Sequence, residues 1–101
     1  MSDILITLLS PYALEERVLN TLLRTDGIAF LSSTPAALHG LPERTLTQSE
    51  QVVGHARAAE IRLMIDDSRM PLLIDGLQKE FAGSGLRYWA TPTLNSGVLK
   101  C

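Results

Sequence analysis

The chain has 101 residues, 46% of them apolar and 20% charged, with Gly 7 and Pro 5, a length for one domain and a composition that excludes disordered, collagenous and coiled-coil chains. Nine basic against eleven acidic residues give a net charge of −2 and a pI near 5.6, which speaks against a sequence-independent affinity for nucleic-acid backbones or anionic lipid. Cys101 is the single cysteine, so no intrachain disulfide is available and the expected compartment is the cytoplasm.

Ile4-Leu5-Ile6-Thr7-Leu8-Leu9 lacks the basic flank of a signal peptide and is too short to span a bilayer. It reads as a first, buried strand. Ser10 is then expected to cap a helix with Pro11 at its first position, and Leu14, Val18, Leu19, Leu22 and Leu23 recur at helical spacing until Gly27 stops the run. Residues 28–33 read as a second strand closed by Pro35. Residues 34–58 hold two prolines, two glycines and no sustained period, and a connection of that length is more often functional than structural. Within it Thr47-Gln48-Ser49-Glu50 has capping-box spacing, although Gln51-Val52-Val53-Gly54 is read here as a turn running into strand.

Glu60 to Asp66 alternates, with Ile61, Leu63 and Ile65 on one face, the mark of a strand covered on one side. Asp67 or Ser68 caps a second helix with Met70, Leu73, Ile74, Leu77 and Phe81 on one stripe, ended by Gly83 and Gly85. Leu86 to Thr91 forms a fourth strand that Pro92 closes or sends to a sheet edge. The order βαββαβ predicts a single α+β domain over 1–101, a ferredoxin-like sandwich with a four-stranded antiparallel sheet and both helices on one face. Two helices cover only one face, yet the first strand is apolar on both. If Leu5, Leu9, Met64 and Trp89 share the helix-free face, that patch calls for self-association.

The fold hosts many functions, so each is argued from its site. The loop after the first strand, Leu9-Ser10-Pro11-Tyr12, has no thiol pair for a metal chaperone and no Gly-rich phosphate cradle for an acylphosphatase. The third strand has no stacking aromatics for RNA, and no Ser/His/acid constellation is identifiable. An enzyme is not expected. The only histidines, His39 and His55, lie sixteen positions apart in the long loop. With Glu43, Glu50 and Cys101 they are the available metal ligands, although solvated loop histidines would look the same. Gly40 and Gly54 with Arg44 or Arg57 could shape an anion pocket or simply turn the chain.

The layout, a strand ending in Ser10-Pro11, a helix, a Gly27-led strand, a long loop, then Glu60 to Asp67 and a second helix, resembles the PII signalling superfamily over nearly the whole chain. Three segments are similar to a small bacterial PII-like family, domain of unknown function 3240, often encoded beside heavy-metal efflux systems: Ser10-Pro11-Tyr12-Ala13-Leu14-Glu15-Glu16, Ser49-Glu50-Gln51-Val52-Val53-Gly54 and Tyr88-Trp89-Ala90-Thr91-Pro92. The resemblance implies a homotrimer with its helix-free faces turned inward and a loop that contacts small ligands between subunits and docks onto a target, often a transporter. The ligand positions it implies are His39, Gly40, Arg44, Gln51, Gly54, His55 and Arg57, with Arg87 the only charge before the fourth strand that could serve beside them, and the neighbourhood of metal efflux points to a transition-metal ion for which His39 and His55 are the available imidazoles. The segment Ala82-Gly83-Ser84-Gly85-Leu86-Arg87 is shorter than a nucleotide-binding phosphate loop and lacks lysine, which weighs against ATP or ADP. The long loop has no tyrosine for the modification found in nitrogen regulators.

The expected protein is therefore a non-enzymatic, cytoplasmic PII-like regulator that senses a small ligand or transition-metal ion and acts on a membrane efflux transporter, without inserting into the membrane or binding nucleic acid. A trimeric adaptor that binds a partner protein and no ligand is the alternative, followed by a small acyl- or phosphoryl-hydrolase of the same topology.

Overall fold

A computed structural model describes residues 2–40 and 55–100. The first strand, β1 (Asp3–Pro11), runs through a 3-10 turn (Tyr12–Leu14) into helix α1 (Glu15–Leu23). Two long strands follow, β2 (Phe30–Leu38) and β3 (Ala56–Asp66), then a second 3-10 turn (Asp67–Arg69), helix α2 (Met70–Phe81) and strand β4 (Arg87–Pro92). The sheet order is β2-β3-β1-β4, and every neighbouring pair is antiparallel. This is the arrangement expected of βαββαβ, with the first and third strands central.

Alternation decides the layers. Ile4, Ile6 and Leu8 pair with Ile65, Leu63 and Ile61, and these residues form one core with Val18 and Leu22 of α1 and Leu73, Leu77 and Phe81 of α2. Both helices therefore cover the same sheet face, as predicted, and the α2 stripe is the predicted one. In α1 the stripe ends sooner, since Leu23 is 71% exposed.

Four expectations are corrected. Ser10 does not cap α1; it is fully buried, and its hydroxyl donates to the Pro11 carbonyl at 2.9 Å, while Pro11 itself precedes the 3-10 turn. Asp66, rather than Asp67 or Ser68, caps the second helical segment, its carboxylate accepting the Ser68 N–H at 3.0 Å and the Ser68 hydroxyl. Those two donors hold the Asp66 carboxyl below its ordinary value, because hydrogen bonds to the charged form favour ionisation.

Third, β2 continues through Pro35, which lies opposite Ala59. Among the described residues β2 pairs only with β3, so it is an edge strand, where a proline is tolerated because a missing N–H on the outer side costs no ladder bond. Fourth, β3 begins at Ala56, four residues before the clear alternation. Ala56, Ala58 and Ala59 are buried but too small to announce a strand. The long connection therefore spans 39–55 rather than 34–58, and the turn and capping box expected within it, at 47–54, lie outside the described residues.

Gly27 ends the α1–β2 turn at φ +88°, with the Arg69 side chain lying across it so closely that a Cβ would stand 2.6 Å from its Cδ. The left-handed φ favours glycine, and the flexible Arg69 side chain would have to move aside for any Cβ.

Candidate functional site

The β2–β3 ladder builds the site. Its last pair is Leu38 with Ala56, so the next residue of each strand, His39 and His55, sits across from the other. Their ring centroids are 5.2 Å apart, tilted by 43°. Two residues further into β3, opposite Ala37, Arg57 places its guanidinium carbon 3.9 Å over the Tyr12 ring. This cation–π contact ties the start of β3 to the turn that opens α1. The stem of the long connection thus carries two adjacent imidazoles and one clamped cation.

The spacing suits shared ligation. With metal–nitrogen bonds of about 2.0–2.1 Å at a tetrahedral angle, two imidazole centroids stand roughly 5 Å apart. Two donors do not complete a site. Among the described residues no group of three or more His, Cys, Asp or Glu could hold a metal ion, so the described part of one protomer brings together two imidazoles and no third donor.

Gly40 follows His39 at φ +80° with open space around it. Arg87 is not brought to this stem. It starts β4, the opposite edge strand, beside Leu9. Arg44, Gln51 and Gly54, together with Glu43, Glu50 and Cys101, lie outside the described residues. A cavity of about 440 Å³ between the helices, bordered by Arg69, Leu72 and Glu80, opens at the other end of β3. It is unconnected to the histidines.

The helix-free face is divided. One cross-strand row holds Thr91, Leu5, Met64 and Phe30, the next Trp89, Thr7, Arg62 and Ser32, and the third Arg87, Leu9, Glu60 and Thr34. Leu5, Met64 and Trp89 share this face as expected, and Phe30, not singled out from the sequence, extends their stripe to the β2 edge. Leu9 is on the same face but stands between Arg87 and Glu60, apart from that stripe, and Arg62 pairs with Glu60 at 2.6 Å. The apolar area is thus confined to the Asp3 end, with Phe30 and Trp89 each 46% exposed.

Residues 1–100 match the family described as Protein of unknown function (DUF3240). The chain belongs to this family. Its fold is similar to that of a DUF3240 family protein from Shewanella baltica, at a TM-score of 0.80 and 15% identity over 99% of both chains. It is also similar to a protein from Thermus thermophilus named as a PII-like signalling protein, at 0.64 and 16% identity over 92% of this chain and 91% of that one. A Bacillus cereus protein related to NIF3 matches at 0.69 and 15% identity, 96% of this chain aligning with 26% of that one. No curated protein matches the sequence. At these identities the structural likeness establishes a PII-like fold for this DUF3240 protein, and function rests on its own residues. Among the described residues no helix is long and apolar enough to cross a membrane.

Proposed function

We propose that this DUF3240 protein is a non-enzymatic, PII-like regulatory protein that senses a transition-metal ion at the His39–His55 stem, works as a homotrimer and acts on a membrane transporter of the heavy-metal efflux type. The observation that carries the reading is the 5.2 Å separation of the two imidazoles, produced by strand register between residues sixteen positions apart. A bound ion would tie the ends of β2 and β3 together at the base of the connection. It can shift that segment's conformational balance only by binding one arrangement better than another.

Imidazole nitrogens suit Zn²⁺, Cu²⁺ and Ni²⁺ in preference to hard cations, which take oxygen ligands. The missing donors are expected from the rest of the connection or from a neighbouring subunit, in keeping with an inter-subunit cleft. A trimer would also cover the apolar end of the helix-free face, which a monomer leaves open to water.

Native mass spectrometry of the untagged protein, alone and with Zn²⁺, Cu²⁺, Ni²⁺, ATP, AMP and bicarbonate, tests assembly and ligand together. The expected result is a trimer that takes up metal ions and loses that uptake in His39→Ala/His55→Ala while remaining trimeric. Undiminished uptake by the double variant would place the metal elsewhere, and a trimer that binds nothing would leave a protein-binding adaptor as the better reading.

A further inference from the structure

Residues 93–100 form a tail that the sheet anchors but the protomer does not cover. Thr93 continues the β4 register, its N–H reaching the Asp3 carbonyl at 3.3 Å and its hydroxyl donating to the same oxygen at 2.8 Å. Ser96 then donates its hydroxyl to the Asp3 carboxylate. Because Ile4, Ile6 and Leu8 face the helices, Asp3 belongs with Leu5 and Thr7 to the helix-free set. The tail is therefore fixed on the helix-free side, at the apolar end of that face. Beyond and around these anchors Leu94, Val98 and Leu99 are 108%, 91% and 97% exposed.

Two apolar surfaces thus occur side by side on one protomer: three fully exposed aliphatic side chains on the tail, and the half-buried stripe of Leu5, Met64 and Phe30 with Trp89. A chain of this size has few apolar residues to leave in water. The three tail side chains do not pack on their own stripe, and a single protomer leaves them in water and the stripe half covered. A ring of identical copies covers both at once, since each protomer supplies one arm and one receiving surface, the head-to-tail complementarity that cyclic assemblies use.

We infer that the 93–100 tail is an inter-subunit arm, pinned by Asp3 and laid over the Leu5–Met64–Phe30 stripe of a second copy of this chain. The inference rests on the homotrimer reading and adds which segment holds the copies together. It also gives Asp3 a role as the hinge post that aims the arm. Tail and stripe lie at the Asp3 end of the sheet, at the opposite end of β3 from the histidines.

The test is Leu94→Ser/Val98→Ser/Leu99→Ser, compared with the parent chain by light scattering across a dilution series. These side chains contribute almost nothing to the protomer core, so the circular dichroism spectrum should not change. The concentration at which half of the assembly dissociates should rise at least tenfold. An oligomer whose dissociation is unchanged would overturn the arm while leaving the trimer standing, and a parent chain that is monomeric at every concentration would overturn both. A second measurement reads the contact itself. In a Cys101→Ser background, size-tagged Leu99→Cys and Phe30→Cys chains are co-expressed and treated with a short bis-maleimide. Heterodimeric cross-links are expected, and their absence from an intact oligomer would refute the placement.

Discussion

Metal binding at the His39–His55 stem predicts a linked gain in thermal stability whose size can be worked out. The two imidazoles stand together only when β2 and β3 are in register, so an ion that bridges them binds the folded chain and finds no such pair in the unfolded one. At free metal 100-fold above the dissociation constant, such a ligand stabilises the fold by about 2.7 kcal/mol. Unfolding entropy of about 2.1 cal/mol/K per residue amounts to roughly 0.21 kcal/mol/K for a chain of this length, so the midpoint should rise by about 13 °C. The assay is thermal unfolding followed by circular dichroism at fixed protein concentration, with and without Zn²⁺ or Ni²⁺ at that excess. His55→Ala should cut the shift to about 2 °C or less, since one imidazole remains and the bridge is gone. A full shift in His55→Ala would refute ligation by the pair.

Gly27→Ala is expected to cost about 1–2 kcal/mol in urea unfolding, from the left-handed backbone alone; the Arg69 side chain, being flexible, can move aside, so a loss above about 4 kcal/mol would show that it cannot. Phe81, 5% exposed at the end of α2, has the Arg17 guanidinium 5.2 Å from its ring centroid. Phe81→Ala should cost about 3–5 kcal/mol by leaving a cavity, and a double-mutant cycle with Arg17→Ala should give about 0.5–1 kcal/mol of coupling; zero coupling would dismiss the cation–π contact. Asp66, held below its ordinary value of 3.8 by the two Ser68 donors, contributes stability that is fully present above that value and is lost as pH falls through the lower, folded one. An NMR titration should show the Asp66 carboxyl rising toward 3.8 in Ser68→Ala, and an unchanged titration would assign the shift to something else.

The helices and central strands were legible because their signals are local and repeated. Leu73, Leu77 and Phe81 recur at helical spacing and are all buried, and Ile61, Leu63 and Ile65 alternate onto the core as written. The longer strands were not legible for two separate reasons. Pro35 reads as a strand breaker unless its strand is known to lie at an edge, and Ala56, Ala58 and Ala59 are buried by their neighbours, with no large side chain to mark them. The roles of Tyr12 and Phe30 are not legible in the sequence because each depends on a residue of another strand. The first matters because Arg57 reaches it from another strand, the second because it completes a row that begins on β1.

The sequence by itself determined the element order, the core stripes and the lack of a thiol pair or a Gly-rich run in the loop after β1. Periodicity and residue chemistry are written along the chain, and these properties need nothing more. Tertiary structure alone decided which residues meet. His39 and His55 are sixteen positions apart and become neighbours only because β2 and β3 pair in one register; a slip of one residue would turn the strand's faces over and move the imidazoles out of line. The same register gathers Leu5, Met64 and Phe30 at one end of the helix-free face and leaves Leu9 between Arg87 and Glu60, a division that depends on backbone hydrogen bonds between strands and is written in no single segment.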